Sequence, residues 1–372
     1  MNLFLLAGEP SGDRLGAALM DGLHTIAKPR IAGIGGPQMI ARGLDSLFPM
    51  DRLSVMGLAE VLPRLPELFA LRDQAVEAVL DGKPDALITI DSPDFGLRVA
   101  AKVRAADPSI RTIHYVAPSV WAWRPGRAAK MARSIDHILA LLPFEPPYME
   151  AAGMTCDFVG HPVVAAPRAT LAQAEAFRSA HGERLALVLP GSRGGEIARL
   201  ASIFGEALRQ LPDGVRVVVP TLPHLKDRLS EATRNWPGKP LVVAEEDDRR
   251  AAFAAADAAL AASGTVSLEL AANGVPMVIA YDMAWLSRLL LARMLQVDTV
   301  TLVNLVSETR AVPEFLGAAC KPGPVGEAFS RLLTVPSLRE TQREALDLTM
   351  DRLGRGGEAP GLRAARSVLA HL

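Results

Sequence analysis

Three segments of this 372-residue chain join a small-residue turn to a carboxylate or an arginine, and each follows a short apolar run. The first is Gly8-Glu9-Pro10-Ser11-Gly12-Asp13, which opens into a helical stretch from Leu15 to Leu23. Small residues let the chain turn tightly, and a helix N-terminus there offers N–H donors to an anion or a sugar hydroxyl. Gly33-Ile34-Gly35-Gly36 is a weaker glycine loop after a second strand. The plainer alternative is that Ser11 or Asp13 caps a helix. The second segment, Ile90-Asp91-Ser92-Pro93-Asp94-Phe95, stands at the carboxyl end of the run Ala86 to Ile90. Ligands of open α/β sheets bind outside that edge, so Asp91 is placed to accept a proton from an attacking hydroxyl. General-base catalysis of this kind is worth roughly 10²–10⁴-fold in rate. Alternatively, Asp94 or Ser92 caps the next helix and Asp91 braces a loop. The third segment is Leu189-Pro190-Gly191-Ser192-Arg193-Gly194-Gly195-Glu196. A departing nucleoside diphosphate needs positive charge, and Arg193 with free helix N–H groups can supply it without magnesium.

Further along, Ala262-Ser263-Gly264-Thr265 forms a second phosphate-friendly turn, with Glu269 one helical turn in, where an acid can accept both ribose hydroxyls. Trp121 and Trp123, in the loop Ala117 to Trp123, offer broad faces and an N–H to a sugar ring or acyl chain, or else anchor a core. Arg124, Arg127, Lys130 and Arg133 recur every three positions and share one helical face that can meet phosphates. Leu58, Val61, Leu62, Leu65, Leu68 and Phe69, flanked by Arg52, Arg64 and Arg72, form an amphipathic stripe for either a core or a headgroup boundary. Pro63 and Pro66 are expected to shorten any helix there. Trp285 to Leu295 is a comparable leucine-rich stretch.

The elements that position these residues follow from the apolar rhythm. Leu3–Ala7, Ala86–Ile90, Thr112–Val116, Ala186–Leu189, Val215–Val219, Ala258–Ala261 and Met277–Ala280 read as buried parallel strands alternating with helices. The irregular, proline-containing segment from Gly160 to Thr170 marks a junction. This gives a domain over 1–165, a second over 166–350, and a helical segment over 351–372 that can pack back on the first. Forty-one acidic against 40 basic residues leave no global field directed at nucleic acid. Cys156 and Cys320 stand in no metal-ligand spacing and read as buried thiols of a reducing compartment. The N-terminal run reads as a strand rather than a leader, and no apolar stretch approaches the ~20 residues of a membrane span. A cytoplasmic protein is the expectation.

Taken in order, these motifs resemble the lipid A disaccharide synthase family of glycosyltransferases. The resemblance also rests on Val55-Met56-Gly57, Pro118-Ser119-Val120-Trp121, Pro143-Phe144-Glu145, Gly160-His161-Pro162 and Asn304-Leu305, and runs from Leu5 to about Glu314. It implies an α/β fold of GT-B type, two Rossmann-like domains facing each other across a cleft. It further implies inverting transfer from UDP-2,3-diacylglucosamine to the 6-hydroxyl of 2,3-diacylglucosamine 1-phosphate, with no metal and no cofactor. On this resemblance Asp91 is the base and Arg193 faces the pyrophosphate. Ser11, Gly12, Asp13, Asp94, Ser119, Trp121 and His161 meet substrate. Gly191, Ser192, Ser263, Gly264, Thr265, Glu269 and Asn304 hold UDP, and the stripe from Leu58 to Phe69 touches the cytoplasmic face of the inner membrane. Assembly as a homodimer stays open. The family often has asparagine where Gly96 stands and glutamine where Gly317 stands. Two rival readings are a UDP-N-acetylglucosamine epimerase on the same scaffold and a non-catalytic sugar-nucleotide binder. A nicotinamide dehydrogenase is more distant, because the first turn lacks the G-x-G-x-x-G spacing.

Overall fold

The computed structural model describes residues 1–53, 58–283 and 296–372, with side chains described outside 58–62. Val55-Met56-Gly57 and the stretch Trp285 to Leu295 lie outside the described residues. The chain divides into two compact units, Met1–Ala165 with Gly356–Leu372, and Ala166–Arg355.

The first unit runs β1 (Asn2–Ala7), α1 (Pro10–Ile26), β2 (Arg30–Ile34), α2 (Pro37–Ile40), α3 (Leu58–Gly82), β3 (Ala86–Ile90), α4 (Pro93–Ala106), β4 (Arg111–Tyr115), α5 (Gly126–Met131), β5 (His137–Ala140), α6 (Pro146–Glu150) and β6 (Thr155–Phe158). The second runs α7 (Leu171–His181), β7 (Arg184–Leu189), α8 (Gly194–Ala207), β8 (Val215–Pro220), α9 (Lys226–Thr233), β9 (Leu241–Val243), α10 (Glu246–Ala255), β10 (Ala258–Ala261), α11 (Val266–Ala272), β11 (Met277–Tyr281), α12 (Leu302–Ser307), β12 (Glu314–Leu316), α13 (Pro322–Thr334) and α14 (Pro336–Arg352). The chain then returns to the first unit as α15 (Pro360–Ala370).

Among the described residues each unit holds one six-stranded sheet, ordered β2-β1-β3-β4-β5-β6 and β12-β11-β10-β7-β8-β9. Every strand pair is parallel. Parallel sheets are covered on both faces, and the central strands are accordingly continuous buried runs such as Ala86-Leu87-Ile88-Thr89-Ile90. β5, β6, β9 and β12 are only three or four residues long, too short to stand out as apolar runs. Cys156 and Cys320 are both buried, each in the core of its own unit.

Helix α3 continues through Pro63 and Pro66, against the expectation that they would shorten it. Both prolines are exposed, so the carbonyls they leave unpaired can be hydrated. The inward face of α3 is carried by Leu71, Ala75 and Val79, with Leu68 packed against the same core. Phe69 lies off that line and is 41% exposed, with the Arg72 guanidinium 4.9 Å from its ring centre. The stripe therefore does not present one outward surface: Leu68 is a core contact and Leu65 is half-buried. The side chains of Leu58, Val61 and Leu62 lie outside the described residues.

Helix α15 crosses α1 at backbone contact. A β-carbon on Gly361 would stand 2.3 Å from the Ala18 carbonyl oxygen, and one on Gly22 would stand 2.5 Å from that of Gly361. The same helix is clipped to the sheet by Ser367, whose hydroxyl lies 2.8 Å from His137 Nε2 and 2.6 Å from Asp157 Oδ2.

Buried titratable groups make stability depend on pH. Burial pushes His114, His137 and His161 down from 6.5 to about 4. The folded chain then refuses protons that the unfolded chain binds between pH 6.5 and 4, so stability falls as pH falls through that window. Burial of Glu145 acts oppositely, raising it from 4.5 to about 7, so that the folded chain keeps a proton the unfolded chain loses. Three histidines against one carboxyl leave a net gain of about 2.7 kcal/mol per pH unit on going from pH 4.5 to 6.5. Urea midpoints across that range are expected to rise with pH, and Glu145→Gln is expected to steepen the rise. A flat profile in both proteins would refute the balance.

Candidate active site

Each sheet has one place where the strand order reverses, and ligands of such sheets bind outside the carboxyl edge there. In the first unit it lies between β1 and β3, which end in register with Ala7 beside Ile90. The turn after β1 carries Glu9 and Ser11, and the turn after β3 carries Asp91 and Ser92. The two are joined by crossed hydrogen bonds: Ser11 Oγ donates to Asp91 Oδ2 at 2.6 Å, and Ser92 Oγ donates to Glu9 Oε1 at 3.1 Å. The approach requires missing side chains. A β-carbon on Gly8 would lie 2.9 Å from the Ser92 hydroxyl, and one on Gly12 would lie 3.0 Å from the Ile90 carbonyl oxygen. The buried Gly12 is thus explained by packing.

Asp91 and Ser92 are consecutive non-glycine residues in the left-handed region, with φ of 53° and 42°. Such strain persists only where the surroundings over-determine it, and it collects at functional sites. Here the Asp91 N–H is tied to the Tyr115 carbonyl at 2.9 Å and both side chains are held across the switch point. Neither Ser92 nor Asp94 makes a side-chain cap on α4, and Ser11 does not cap α1. Asp94 is exposed on the first turn of α4. Gly96, two residues on, packs on Thr89, where a β-carbon would meet that residue's Cβ at 3.0 Å.

Asp13 is corrected as a substrate contact. It is 2% exposed, and its carboxylate accepts the N–H groups of Gly36, Gln38 and Met39 at 2.9–3.0 Å. It caps α2, a helix remote in sequence, and fixes the Gly35-Gly36 loop. Glu9 went unassigned in the sequence because its partner, Ser92, lies 83 residues away.

The tryptophan loop is also revised. Trp121 is buried, its N–H directed at Glu145 Oε1 at 3.4 Å and its ring edge-to-face on Phe144 at 5.3 Å. It is a core anchor rather than a face for sugar. Trp123 is half-buried beneath the Arg124 guanidinium at 4.3 Å, and Ser119 is exposed. The basic series does not share a helical face, because α5 covers only Gly126–Met131 and Arg124 is left-handed. His161 is half-buried, and burial pushes it down to about 4, so it is neutral. Its Nδ1 accepts the Val163 N–H at 3.2 Å, which places the ring proton on Nε2.

In the second unit the strand order reverses between β7 and β10, where Leu189 pairs with Ala261. The turns Gly191-Ser192-Arg193 and Ser263-Gly264-Thr265 leave from that point. Gly191 has φ of 105°, a conformation suited to glycine. Ser192 and Arg193 are exposed at the start of α8, and Gly264 and Thr265 at the start of α11. Thr265 makes no side-chain cap, and Glu269 is exposed in the first turn. Asn304 is corrected as a UDP contact. It is 1% exposed, its Oδ1 accepting the Val312 N–H and its Nδ2 donating to the Val312 carbonyl, so its amide is spent on bracing the chain before β12.

Among the described residues His137, Asp157 and His371 bring ligand atoms within 4.8 Å of one another. The Ser367 hydroxyl bridges His137 and Asp157, and the two rings are stacked at 3.7 Å. Metal ligands must instead aim in-plane lone pairs at a common ion. The cluster is built as a clip for α15.

Comparison with known proteins shows the family. The family model described as Lipid-A-disaccharide synthetase matches residues 3–356. The chain is 57% identical to the lipid-A-disaccharide synthase of Ruegeria pomeroyi over all of this chain and 96% of that protein. Among solved structures, it resembles a UDP-GlcNAc 2-epimerase from Neisseria meningitidis bound to UDP-GlcNAc, with a TM-score of 0.65, 11% identity and coverage of 100% of this chain and 99% of that one. MurG from Acinetobacter baumannii gives 0.58 at 14% identity, over 99% and 98% of the two chains. At those identities the likeness is one of fold, two Rossmann-like α/β units of GT-B type, which epimerases and transferases share. The match of sequence along nearly the whole chain is what separates the two: this chain belongs to the lipid-A-disaccharide synthase family of hexosyltransferases.

Proposed function

We propose that this synthase joins UDP-2,3-diacylglucosamine to 2,3-diacylglucosamine 1-phosphate through a β-1,6 link, releasing UDP. The acceptor 6-hydroxyl gives its proton to Asp91 and its oxygen bonds to the anomeric carbon. The bond from that carbon to the diphosphate breaks on the opposite face, and its electron pair leaves with UDP. Configuration inverts and no covalent enzyme intermediate forms. The observation that carries this reading is Asp91 itself, a strained carboxylate at the reversal of strand order with Ser11 on Oδ2 and Oδ1 left for the incoming hydroxyl.

Ser11 fixes the orientation of the base, and the exposed Asp94 and Ser119 are the remaining polar groups assigned to the acceptor. Arg193 with the N-terminus of α8 receives the charge developing on the diphosphate, as oriented donors do for a developing anion. Gly191, Ser192 and the Ser263–Thr265 turn line the nucleotide, and Glu269 takes the ribose hydroxyls. A good leaving group with a cation beside it requires no general acid and no metal.

No helix among the described residues is long and apolar enough to cross a membrane. We assign contact with the lipid headgroups to the outward side of α3, where the exposed Phe69 lies against the Arg72 guanidinium. Mass spectrometry of products from the two diacylated sugars, presented in detergent with EDTA, tests the reaction. The expected product is the disaccharide 1-phosphate in undiminished yield. Loss of activity with EDTA would end the metal-free scheme, and UDP-sugar turnover without consumption of acceptor would indicate epimerase chemistry. In detergent-free buffer Phe69→Ser is expected to reduce sedimentation with anionic vesicles, and equal sedimentation would remove α3 from the membrane.

A further inference from the structure

The turn assigned to the diphosphate is supported from below by two residues that the reaction scheme does not use. Glu196, in the first turn of α8, is mostly shielded, with 18% of its side chain exposed, whereas that of Arg193 is 70% exposed. Its Oε2 accepts the Arg193 N–H at 3.3 Å and its Oε1 faces the Arg193 guanidinium at 3.4 Å. The same Oε1 accepts the hydroxyl proton of Tyr281 at 3.1 Å. Tyr281 ends β11, two strands from β7, so the bond spans the sheet edge across β10. The left-handed Gly191 makes room for this carboxylate, since a β-carbon there would stand 2.7 Å from Glu196 Oε2. Burial and the neighbouring Glu196 raise the Tyr281 phenol above its ordinary range, so it remains a donor.

We propose that Glu196 and Tyr281 are a positioning pair for Arg193, holding the Gly191–Arg193 turn and its guanidinium ready for the diphosphate without touching the donor. The inference rests on the assignment of Arg193 to the diphosphate. An exposed arginine on a glycine-bearing turn has many rotamers to lose on binding, and ordering such a side chain weakens affinity. Glu196 restrains both the backbone and the guanidinium of that residue. Tyr281 restrains Glu196, which otherwise could swing out toward water. The 3.4 Å separation from the guanidinium is loose enough for a diphosphate to displace one contact while the backbone bond stays.

Titration with UDP in a calorimeter tests this through a double-mutant cycle. Tyr281→Phe keeps the ring and removes one hydrogen bond, so UDP is expected to bind about 3- to 10-fold more weakly, with a melting temperature lowered by no more than a few degrees. In the Arg193→Ala background the same change is expected to have no further effect, because the pair acts through that arginine. Unchanged affinity for Tyr281→Phe, or an equal loss in both backgrounds, overturns the proposal. Glu196→Gln, whose amide oxygen can still accept the Arg193 N–H while its Nε2 donates to the Tyr281 hydroxyl oxygen, is expected to retain most of the affinity that Glu196→Ala loses. Equal losses in those two variants also overturn it. If Arg193→Ala alone leaves UDP affinity intact, it is the assignment of Arg193 that fails.

Discussion

Asp91→Asn is expected to lower turnover by about 10²–10⁴-fold, the usual worth of a general base, while leaving the affinity for UDP unchanged. The substitution is chosen because asparagine reproduces everything about this position except proton affinity. Its amide has the same shape, and its oxygen can still accept the Ser11 hydroxyl that now lies 2.6 Å from Oδ2. Asparagine also tolerates the left-handed backbone, with φ of 53°, better than most side chains do. The switch-point geometry should therefore persist, including the neighbouring bond from Ser92 to Glu9. Contacts assigned to UDP lie in the other unit, so a pure loss of kcat is the expected signature, with KM for the donor nearly constant. Ser11→Ala is the useful companion, since it frees the carboxylate to rotate without removing it. Near-normal turnover for Asp91→Asn would transfer the role of base elsewhere, and Glu9, the second carboxylate of the same pair of turns, would be the first candidate.

The turns that bear chemistry were legible in the sequence because function and local structure make the same demand there. Gly8, Gly12 and Gly191 are small because another residue occupies the space, and each marks a carboxyl-end turn beside a strand long enough to read. What was not legible depends on partners distant in the chain. Asp13 and Asn304 sit in motifs with functional neighbours, yet each points inward to backbone groups 23 and 8 residues away. Trp121 has the chemistry of a sugar platform, and only the buried Glu145 beneath it shows that the ring belongs to the core. Tyr281 carries no sequence signal, because its partner stands across two strands. A carboxylate or an indole has the same letter on either side of a sheet edge, and direction is decided by packing.

That distinction sets the expected consequence of Asp13→Ala, which belongs to stability before activity. The carboxylate accepts three buried or half-buried N–H groups at the start of α2, and the charge lies at the positive end of that short helix. Alanine leaves those donors without partners in a place water cannot readily enter. Hydrogen bonds to a charged acceptor are worth about 1.5–3 kcal/mol each, and an unsatisfied buried donor costs about 1–3 kcal/mol. Partial relaxation of the four-residue helix recovers some of this, so a net loss of about 3–5 kcal/mol is expected. A shift of that size is a large fraction of a typical domain's stability and is readily seen as a lower urea midpoint at unchanged slope. A residue whose purpose was to touch substrate would behave oppositely, losing affinity while the midpoint stayed within about 0.5 kcal/mol of the parent. The Gly36 turn provides a second reading of the same cause. A β-carbon there would sit 2.7 Å from the Asp13 carboxylate, so Gly36→Ala should destabilise the parent protein but cost less once Asp13 has been shortened to alanine. Additive losses in the two changes would mean that Asp13 and the loop it caps are energetically separate, and the brace would have to be given up.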